Sequence, residues 1–403
     1  MALKTEIADI SGGANQARVR AHNERLVLSL VRRHGSLSKA EIARRSGLSP
    51  QTVTIIMRAL EKDGLLLRGQ PIRGKVGQPS IPMSLDPQGA FSFGLKIGRR
   101  SVDLILMDFT GQIRDRLHET YTFPTPGQIE RFVTAGVARL THALPEASRQ
   151  RIAGLGVAMP FELWSWADTL GVQREDMEAW RTYDVTEALA EATGLPVLLQ
   201  NDGTAAAGAE LLFGNGRSSA DFAYLFIGHF IGGGLVIDST LYSGPSGSAG
   251  GFGTIRVGGK GGERISLLNG ASLHLLETAL SRSGGDPGQL WDNPENWSVA
   301  GPALTEWVNT TAGCIAEAIV STLSIIDFPQ VIIDGNLPGN VRTAVVRATR
   351  SALEGYDLSG IRPFEVSEGV LGHNAKVLGG GSLPIMARYL VDNKVLFTSP
   401  ATA

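Results

Sequence analysis

Residues 36–67 read SLSKAEIARRSGLSPQTVTIIMRALEKDGLLL, and this stretch decides what the N-terminal part of the chain is. Ser38 precedes Glu41 by three residues, the spacing at which a hydroxyl and a carboxylate cap each other's helix-terminal N–H groups. Gly47 ends that first helix. Ser49 then caps a second one, with Pro50 in the first turn, where a missing N–H costs nothing. Val53, Ile56, Met57 and Leu60 recur at spacings of three and four on one face, leaving Gln51, Thr52, Thr54 and Arg58 on others. A helix-turn-helix is expected, although any small helical hairpin would share the pattern.

Charge separates those two readings. Residues 1–85 hold 14 lysines and arginines against 6 acids, a net of +8, whereas the remainder holds 23 against 33, a net of −10. The overall charge of −2 conceals a basic module on an acidic body, and attraction to phosphates favours such a charge in one part only. Asn23–His34 reads as a preceding helix with Val27, Leu30 and Val31 facing inward. Leu65–Arg68 and Ile81–Leu85 can pair as strands around the loop GQPIRGKVGQPS, which makes the module winged. The candidate DNA contacts are Lys39, Ser49, Gln51, Thr52, Thr54 and Arg58 in the helices, with Arg73, Lys75 and Gln78 in the wing. Gln51, Thr52 and Thr54 are candidates for base edges, and Arg58, Arg73 and Lys75 for phosphates or groove.

Working outward, 403 residues with 43% apolar content can bury more than one core. No apolar run approaches the roughly 20 residues that span a bilayer, and MALKTEIADISGG lacks the apolar centre of a signal peptide, so a cytoplasmic protein is expected. The single Cys314 excludes an intrachain disulfide and a multi-cysteine metal site. From Phe91, three strand-like runs separated by GRRS and FTGQ lead into a helical stretch from Gly127 to Leu144. Ile152–Ala158 and Pro196–Gln200 are further strands, with a helix from Val185 to Thr193 between them, so the region is α/β. A related pattern begins at Phe222 with FAYLFIGHFIGGGLVIDSTLYSG. Both segments read as strand, glycine turn, strand ending in Asp108 or Asp238, then turn. This is a weak internal repeat, and hairpins with glycine turns resemble one another in any case. Helical stretches at 265–282 and 302–326, a strand at Val331–Asp334 and a closing helix near 375–390 complete the second lobe.

The winged helix-turn-helix, together with LLQNDGTAAAGAELLFG at 198–214, GGGLVIDSTLYSGPSGSAGGFG at 232–253 and LLETALS at 275–281, resembles the ROK family, which groups sugar-responsive repressors with sugar kinases. The resemblance implies an α/β body of two actin-like, ribonuclease-H-like lobes behind the winged module, with a ligand cleft between the lobes. The implied domains are 1–88, 89–200 and 201–403, the C-terminal helix closing on the first lobe. It also assigns Asn201 and Asp202 to the family's sugar-binding pair, whose Asp is the general base in the kinases. Glu277 matches a sugar-reaching Glu, and Phe161 and Trp180 lie where the family lines its cleft.

Several residues depart from that pattern. Lys96 stands where the kinases carry an acid, Arg99 and Arg100 follow Gly98 in place of small residues, and His229 and Phe230 interrupt the second phosphate-side turn. Gly251 and Thr254 replace the Glu and His of the family's Ala-Gly-Glu-x-Gly-His phrase. VGGKGGERISLLNGASLH stands in place of the Cys-rich zinc loop, and no thiolate site can be built there. In the wing, Gln78 replaces the Arg of Gly-Arg-Pro. No cofactor, zinc or kinase activity is expected. The expected function is a homodimeric repressor of carbohydrate genes that reads a pseudo-palindromic operator and answers to a sugar-like effector in the cleft, Gly251 and Thr254 included among its contacts. A sugar kinase with a fused DNA-binding domain and a regulator answering to a protein partner remain open.

Overall fold

The computed structural model describes residues 16–72, 80–166, 173–259, 261–292 and 295–391. Arg73, Lys75 and Gln78 therefore lie outside the described residues. Helix α1 spans Gln16–His34, beginning earlier than the apolar spacing suggests, because its first turns are polar and exposed. Helix α2, Lys39–Ser46, carries the full capping box: Glu41 accepts from the Ser38 N–H at 2.8 Å and the Ser38 hydroxyl accepts from the Glu41 N–H at 3.3 Å. It ends at Gly47, whose φ of 70° is the left-handed conformation glycine adopts without strain. Helix α3, Pro50–Lys62, buries Val53, Ile56, Met57 and Leu60. Strands β1, Leu66–Arg68, and β2, Met83–Leu85, pair antiparallel, and Leu37 bridges to Met83 on the far side.

The body is built on two sheets. The first holds β3 (Phe91–Ile97), β4 (Ser101–Asp108), β5 (Ile113–Thr120), β6 (Ile152–Met159) and β7 (Val197–Asn201) in the order β5-β4-β3-β6-β7. The second holds β8 (Phe222–Ile227), β9 (Ile231–Ile237), β10 (Thr240–Tyr242), β13 (Gln330–Gly335) and β14 (Glu365–Glu368) in the order β10-β9-β8-β13-β14. In each, three successive strands form an antiparallel meander and two more add in parallel beside the first. The two sheets arrange their successive strands in the same spatial order, so the hairpin repeat in the sequence is a repeat of whole lobes.

Helix α4, Pro126–Ala143, α5, Arg174–Thr182, and α6, Val185–Thr193, cover the first sheet with a core that includes Phe93, Leu104 and Val133. Helix α7, Asp202–Phe213, follows the first sheet's last strand but lies on β9 of the second: a Cβ on Gly203 would stand 2.7 Å from the Gly233 backbone. Helix α11, Ala375–Tyr389, follows the second sheet's last strand but lies on the first. A Cβ on Gly156 of β6 would stand only 1.9 Å from the Gly380 carbonyl. Each helix thus laces its own lobe to the other. The longer of the remaining second-lobe helices are α8, Leu273–Arg282, α9, Gly301–Leu323, and α10, Gly339–Leu353.

Two sequence expectations change. The stretch 265–282 is not one helix, because Arg264–Ser266 forms strand β12 against β11, Arg256–Gly258, and the chain turns before α8. Helix α10 and strand β14 are absent from the sequence reading; the strand's EVSE has no apolar alternation to announce it. The winged module is not a separate bead: Val27, Val31 and Met57 share one core with Phe109, Leu212 and Ile385 of the body. Arg151 reinforces the junction, donating to the carbonyls of Asp63 at 3.1 Å and Gly89 at 3.1 Å. Among the described residues no helix is long and apolar enough to cross a membrane.

Candidate DNA-reading helix and interlobe cleft

Burial of one face of α3 fixes what the other faces present. Gln51 and Arg58 are exposed, and neither side chain bonds to another group among the described residues. Thr52 and Thr54 are half-buried and already engaged: the Thr52 hydroxyl is 2.8 Å from the Ser49 hydroxyl, and Thr54 donates to the Pro50 carbonyl at 2.9 Å. Ser49 itself caps the helix by accepting from the Thr52 N–H at 3.1 Å. Lys39 is exposed at the start of α2. One residue on the open face was not anticipated. Ile55 is 57% exposed between Gln51 and Arg58, an apolar group suited to a thymine methyl. Its signal in the sequence is that it breaks the apolar spacing of Val53, Ile56, Met57 and Leu60.

The second site lies between the sheets, a cleft of about 800 Å³ lined by both lobes. Asn201, Asp202, Gly251, Thr254 and Glu277 all face it. Asn201 caps α7, accepting from the Gly203 N–H at 3.1 Å, and its neighbour Asp202 opens the helix. Asp202 is paired: Lys376 of α11 places its ammonium 2.5 Å from one carboxylate oxygen, with the cation also 4.8 Å from the Phe226 ring centre. Lys376 is absent from the sequence reading, because 174 residues separate it from its partner.

On the first-lobe wall, Lys96, Asp103 and His118 stand directly opposite one another on β3, β4 and β5. Lys96 lies 3.0 Å and His118 2.9 Å from the two Asp103 oxygens. Burial alone would raise Asp103, but Lys96 and His118 outweigh it and hold the carboxyl below its ordinary range. The turn after β3 sends Arg99 across the cleft. Its guanidinium is 2.6 Å from His229 Nε2 and 3.9 Å from Glu277, and His229 Nδ1 is 3.4 Å from the same carboxylate. The same Arg99 nitrogen is 2.9 Å from His229 Nδ1, so the guanidinium lies close to both ring nitrogens, and a neutral imidazole leaves one of them to accept from it. Burial pushes His229 down, and that favours this neutral form. Glu277, which burial would raise, is held low by His229 and then by Arg99 and Arg100. Beside them, burial, reinforced by His229, pushes His274 down to about 4.

Two expected cleft residues lie elsewhere. Trp180 is core: it is 4% exposed, donates its indole N–H to the Pro124 carbonyl at 2.8 Å and meets Tyr183 edge-on. The amphipathic α5 turns this large apolar ring toward the first sheet's covering layer, where burial is most favourable. Phe161 packs against Gly247 in the loop after β10 and does not line the cleft. Thr254 donates to the Gly251 carbonyl at 2.8 Å, closing a short turn at the cleft edge. Among the described residues no three His, Cys, Asp or Glu side chains converge as a metal-holding group.

Comparison with known proteins agrees with both halves of this architecture. Residues 92–385 match the family model described as ROK family, and residues 20–66 match winged helix-turn-helix DNA-binding. The uncharacterized protein y4fQ of Sinorhizobium fredii is 26% identical over 374 residues, 91% of each chain. The xylose repressor of Bacillus subtilis is 22% identical over 251 residues, spanning 60% of this chain and 62% of the repressor. Among solved structures, a ROK family transcriptional regulator described as a homolog of the E. coli MLC protein superposes with a TM-score of 0.66 at 18% identity, covering 92% of this chain and 97% of its own. A ROK family glucokinase from Streptomyces griseus, solved with glucose and AMPPNP, superposes with a TM-score of 0.55 at 21% identity over 73% of this chain and 99% of its own. The family match over most of the chain, joined to the N-terminal match, identifies the whole: the chain belongs to the ROK family and is a transcriptional regulator of ROK type with a winged helix-turn-helix DNA-binding domain.

Proposed function

We propose that the chain is an operator-binding repressor whose body senses a carbohydrate-like effector in the interlobe cleft without phosphorylating it. The observation that carries this reading is the pairing of Asp202 with Lys376, in a cleft whose phosphate-side turns present Arg99, Arg100, His229 and Phe230. A kinase base needs a lone pair aimed at the attacking hydroxyl, and here an ammonium group holds one of the two Asp202 oxygens in an ion pair, leaving the other to accept from an effector. Sensing asks for less: the effector need only bind the open and closed lobes unequally. Asn201, Asp202, Glu277 and the Gly251–Thr254 turn are the effector contacts in this reading. Because α7 and α11 lace the lobes together and α11 packs on α1, a change in lobe angle reaches the DNA-binding module through packed helices. The xylose repressors among the relatives support the repressor reading and the choice of sugars to test.

Two winged modules in a homodimer read a pseudo-palindrome, with Gln51, Ile55 and the Thr52 and Thr54 edge toward bases and Arg58 toward phosphate. Anisotropy titration of an operator recovered by genome-wide mapping tests the reading. Gln51→Ala is expected to cost 10- to 100-fold in operator preference, corresponding to about 1–3 kcal/mol for a bidentate base contact. Arg58→Ala is expected to weaken all sequences alike and lower the salt slope by about one. The same preparation should show no sugar-dependent ATP turnover. Slow phosphorylation abolished by Asp202→Asn would overturn the non-catalytic part, and an operator complex indifferent to a panel of sugars would overturn the effector part.

A further inference from the structure

Between α1 and the body lies a second cavity, of about 600 Å³, that neither DNA contact nor the interlobe cleft uses. Much of its wall is aliphatic: Leu26 and Leu30 of α1, Leu199 of β7, Leu211 of α7, Leu241 of β10 and Met386 of α11 all face it, beside the hydroxyls of Ser29, Ser239, Thr240 and Ser243, and among the described residues no aromatic side chain does. Arg32, Arg33 and Arg217 also line it. Arg33 donates to the Arg217 carbonyl at 3.0 Å and to the Ser239 hydroxyl at 3.0 Å, while Arg217 donates to the carbonyls of Arg32 at 2.9 Å and Arg33 at 3.2 Å. Arg32, 7% exposed, donates to the Phe109 carbonyl, and its Nε has no partner. The three guanidiniums are therefore held by neutral acceptors, with Arg32 also lying over the Phe109 and Phe213 rings at 5.1 Å and 5.6 Å from their centres. Among the described residues none forms an ion pair: Asp108, the nearest acid to Arg32, pairs with Arg114, and Asp238, the one carboxylate on the wall, is not engaged by any of the three.

We propose that this cavity binds an amphipathic aliphatic carboxylate, its alkyl chain along the leucines and its head on the guanidiniums. A buried cation without a counter-ion is unfavourable, and guanidinium recognises carboxylate through paired N–H donors. The volume is that of a small-molecule site. The leucine walls favour a saturated chain, and among the described residues they offer no aromatic face for a sugar ring to stack on. Because the walls come from α1 on one side and from β7, β10 and α11 on the other, the ligand holds the DNA-binding module to the body.

Calorimetric titration of the full chain with sodium decanoate, below its micelle concentration, tests this independently of any DNA or sugar. Saturable binding at one site is expected, with decan-1-ol at least tenfold weaker. Arg33→Gln should weaken decanoate at least tenfold and leave decan-1-ol unchanged. Leu241→Trp and, separately, Leu26→Trp fill the apolar end and should abolish both, with circular dichroism confirming that each variant is folded. No saturable binding overturns the proposal, as does equal affinity for acid and alcohol with no effect of Arg33→Gln. Binding seen only after the paired changes Leu396→Asp and Phe397→Asp overturns it too, since the cavity would then belong to the chain's own residues beyond Val391.

Discussion

The two lobes share one strand order, yet the turns that link their first two strands differ in shape and chemistry. In the first lobe, Gly98 and Ser101 close the turn and Arg99 and Arg100 form its tip; in the second, Ile227 pairs with Ile231 around Gly228, His229 and Phe230. The tips meet across the cleft, Arg99 against His229. One step back along the strands the contrast repeats. Lys96 of the first lobe joins a charged row with Asp103 and His118, whereas Phe226 of the second faces Gly232 and lies under the Lys376 ammonium. One strand arrangement used twice accounts for the fold, and the difference between two short turns accounts for the asymmetry of the cleft. In the proposed sensor, ligand chemistry rests on tips that the sheets merely hold opposite each other, and α7 and α11 are the helices that pack across the two lobes.

The largest effect should come from the lacing helices. Gly156→Ala places a methyl against the Gly380 carbonyl, a backbone atom that cannot swing away, and is expected to cost about 3 kcal/mol or more. Gly203→Ala, where the obstruction at Gly233 is 2.7 Å away, should cost less, about 2 kcal/mol. Urea midpoints of the two variants rank them. Equal and negligible losses would mean that neither helix is seated tightly on the opposite lobe, and the comparison of lobes would lose its mechanical link.

What the sequence revealed follows the same division between local and distant. Ser38 with Glu41 and the spacing of Val53, Ile56, Met57 and Leu60 act within a few residues, so the helices of the winged module were legible. The hairpin repeat was legible because strand and glycine turn recur together, and the symmetry of the whole lobes was then implied by it. The Lys376–Asp202 and Arg99–Glu277 pairs were not legible, since nothing along the chain marks which charges will converge. Trp180 misled because an aromatic side chain carries the same sequence signal in a core as on a cleft wall. Strand β14 was missed because a short edge strand held by parallel pairing with β13 needs no apolar alternation of its own.

A smaller effect should come from the touching tips. Arg99→Gln removes the cation that reaches from one lobe to His229 and Glu277 of the other. The pair is largely shielded from water, so a coupling of about 1 kcal/mol is reasonable, roughly a fivefold change in the balance of open and closed lobes. Small-angle scattering should report a larger mean radius for the variant, and Glu277→Gln should reproduce the change. In the doubly substituted chain the effects should not add, because both remove the same contact. Additive effects would show that Arg99 and Glu277 act through different neighbours, and the tips would then not form one latch.

The effect sharpest in sign is on pH dependence. His274 beside the second tip is pushed down to about 4 by burial, so between its ordinary 6.5 and 4 the unfolded chain takes up a proton that the folded chain refuses, and stability falls as pH falls through that window. Glu210 of α7 is pushed up to about 7, by burial first and then by Asp334, so between its ordinary 4.5 and 7 the folded chain keeps a proton that the unfolded chain loses, and stability falls as pH rises. Between 4.5 and 6.5 the two oppose each other. Each has a ceiling of about 1.4 kcal/mol per pH unit for one whole proton, reduced for His274 because it is only half-buried. Urea midpoints measured from pH 4 to 7.5 should separate them: relative to the parent, His274→Asn gains most at the acid end, and Glu210→Gln gains most near neutrality. Difference curves that slope the same way with pH would mean that one of the two is not buried in the folded chain. His274 is the one to doubt first, because a lobe opening at the Arg99–His229 contact would hydrate it while leaving Glu210 enclosed beside Asp334 and the Asn215 N–H.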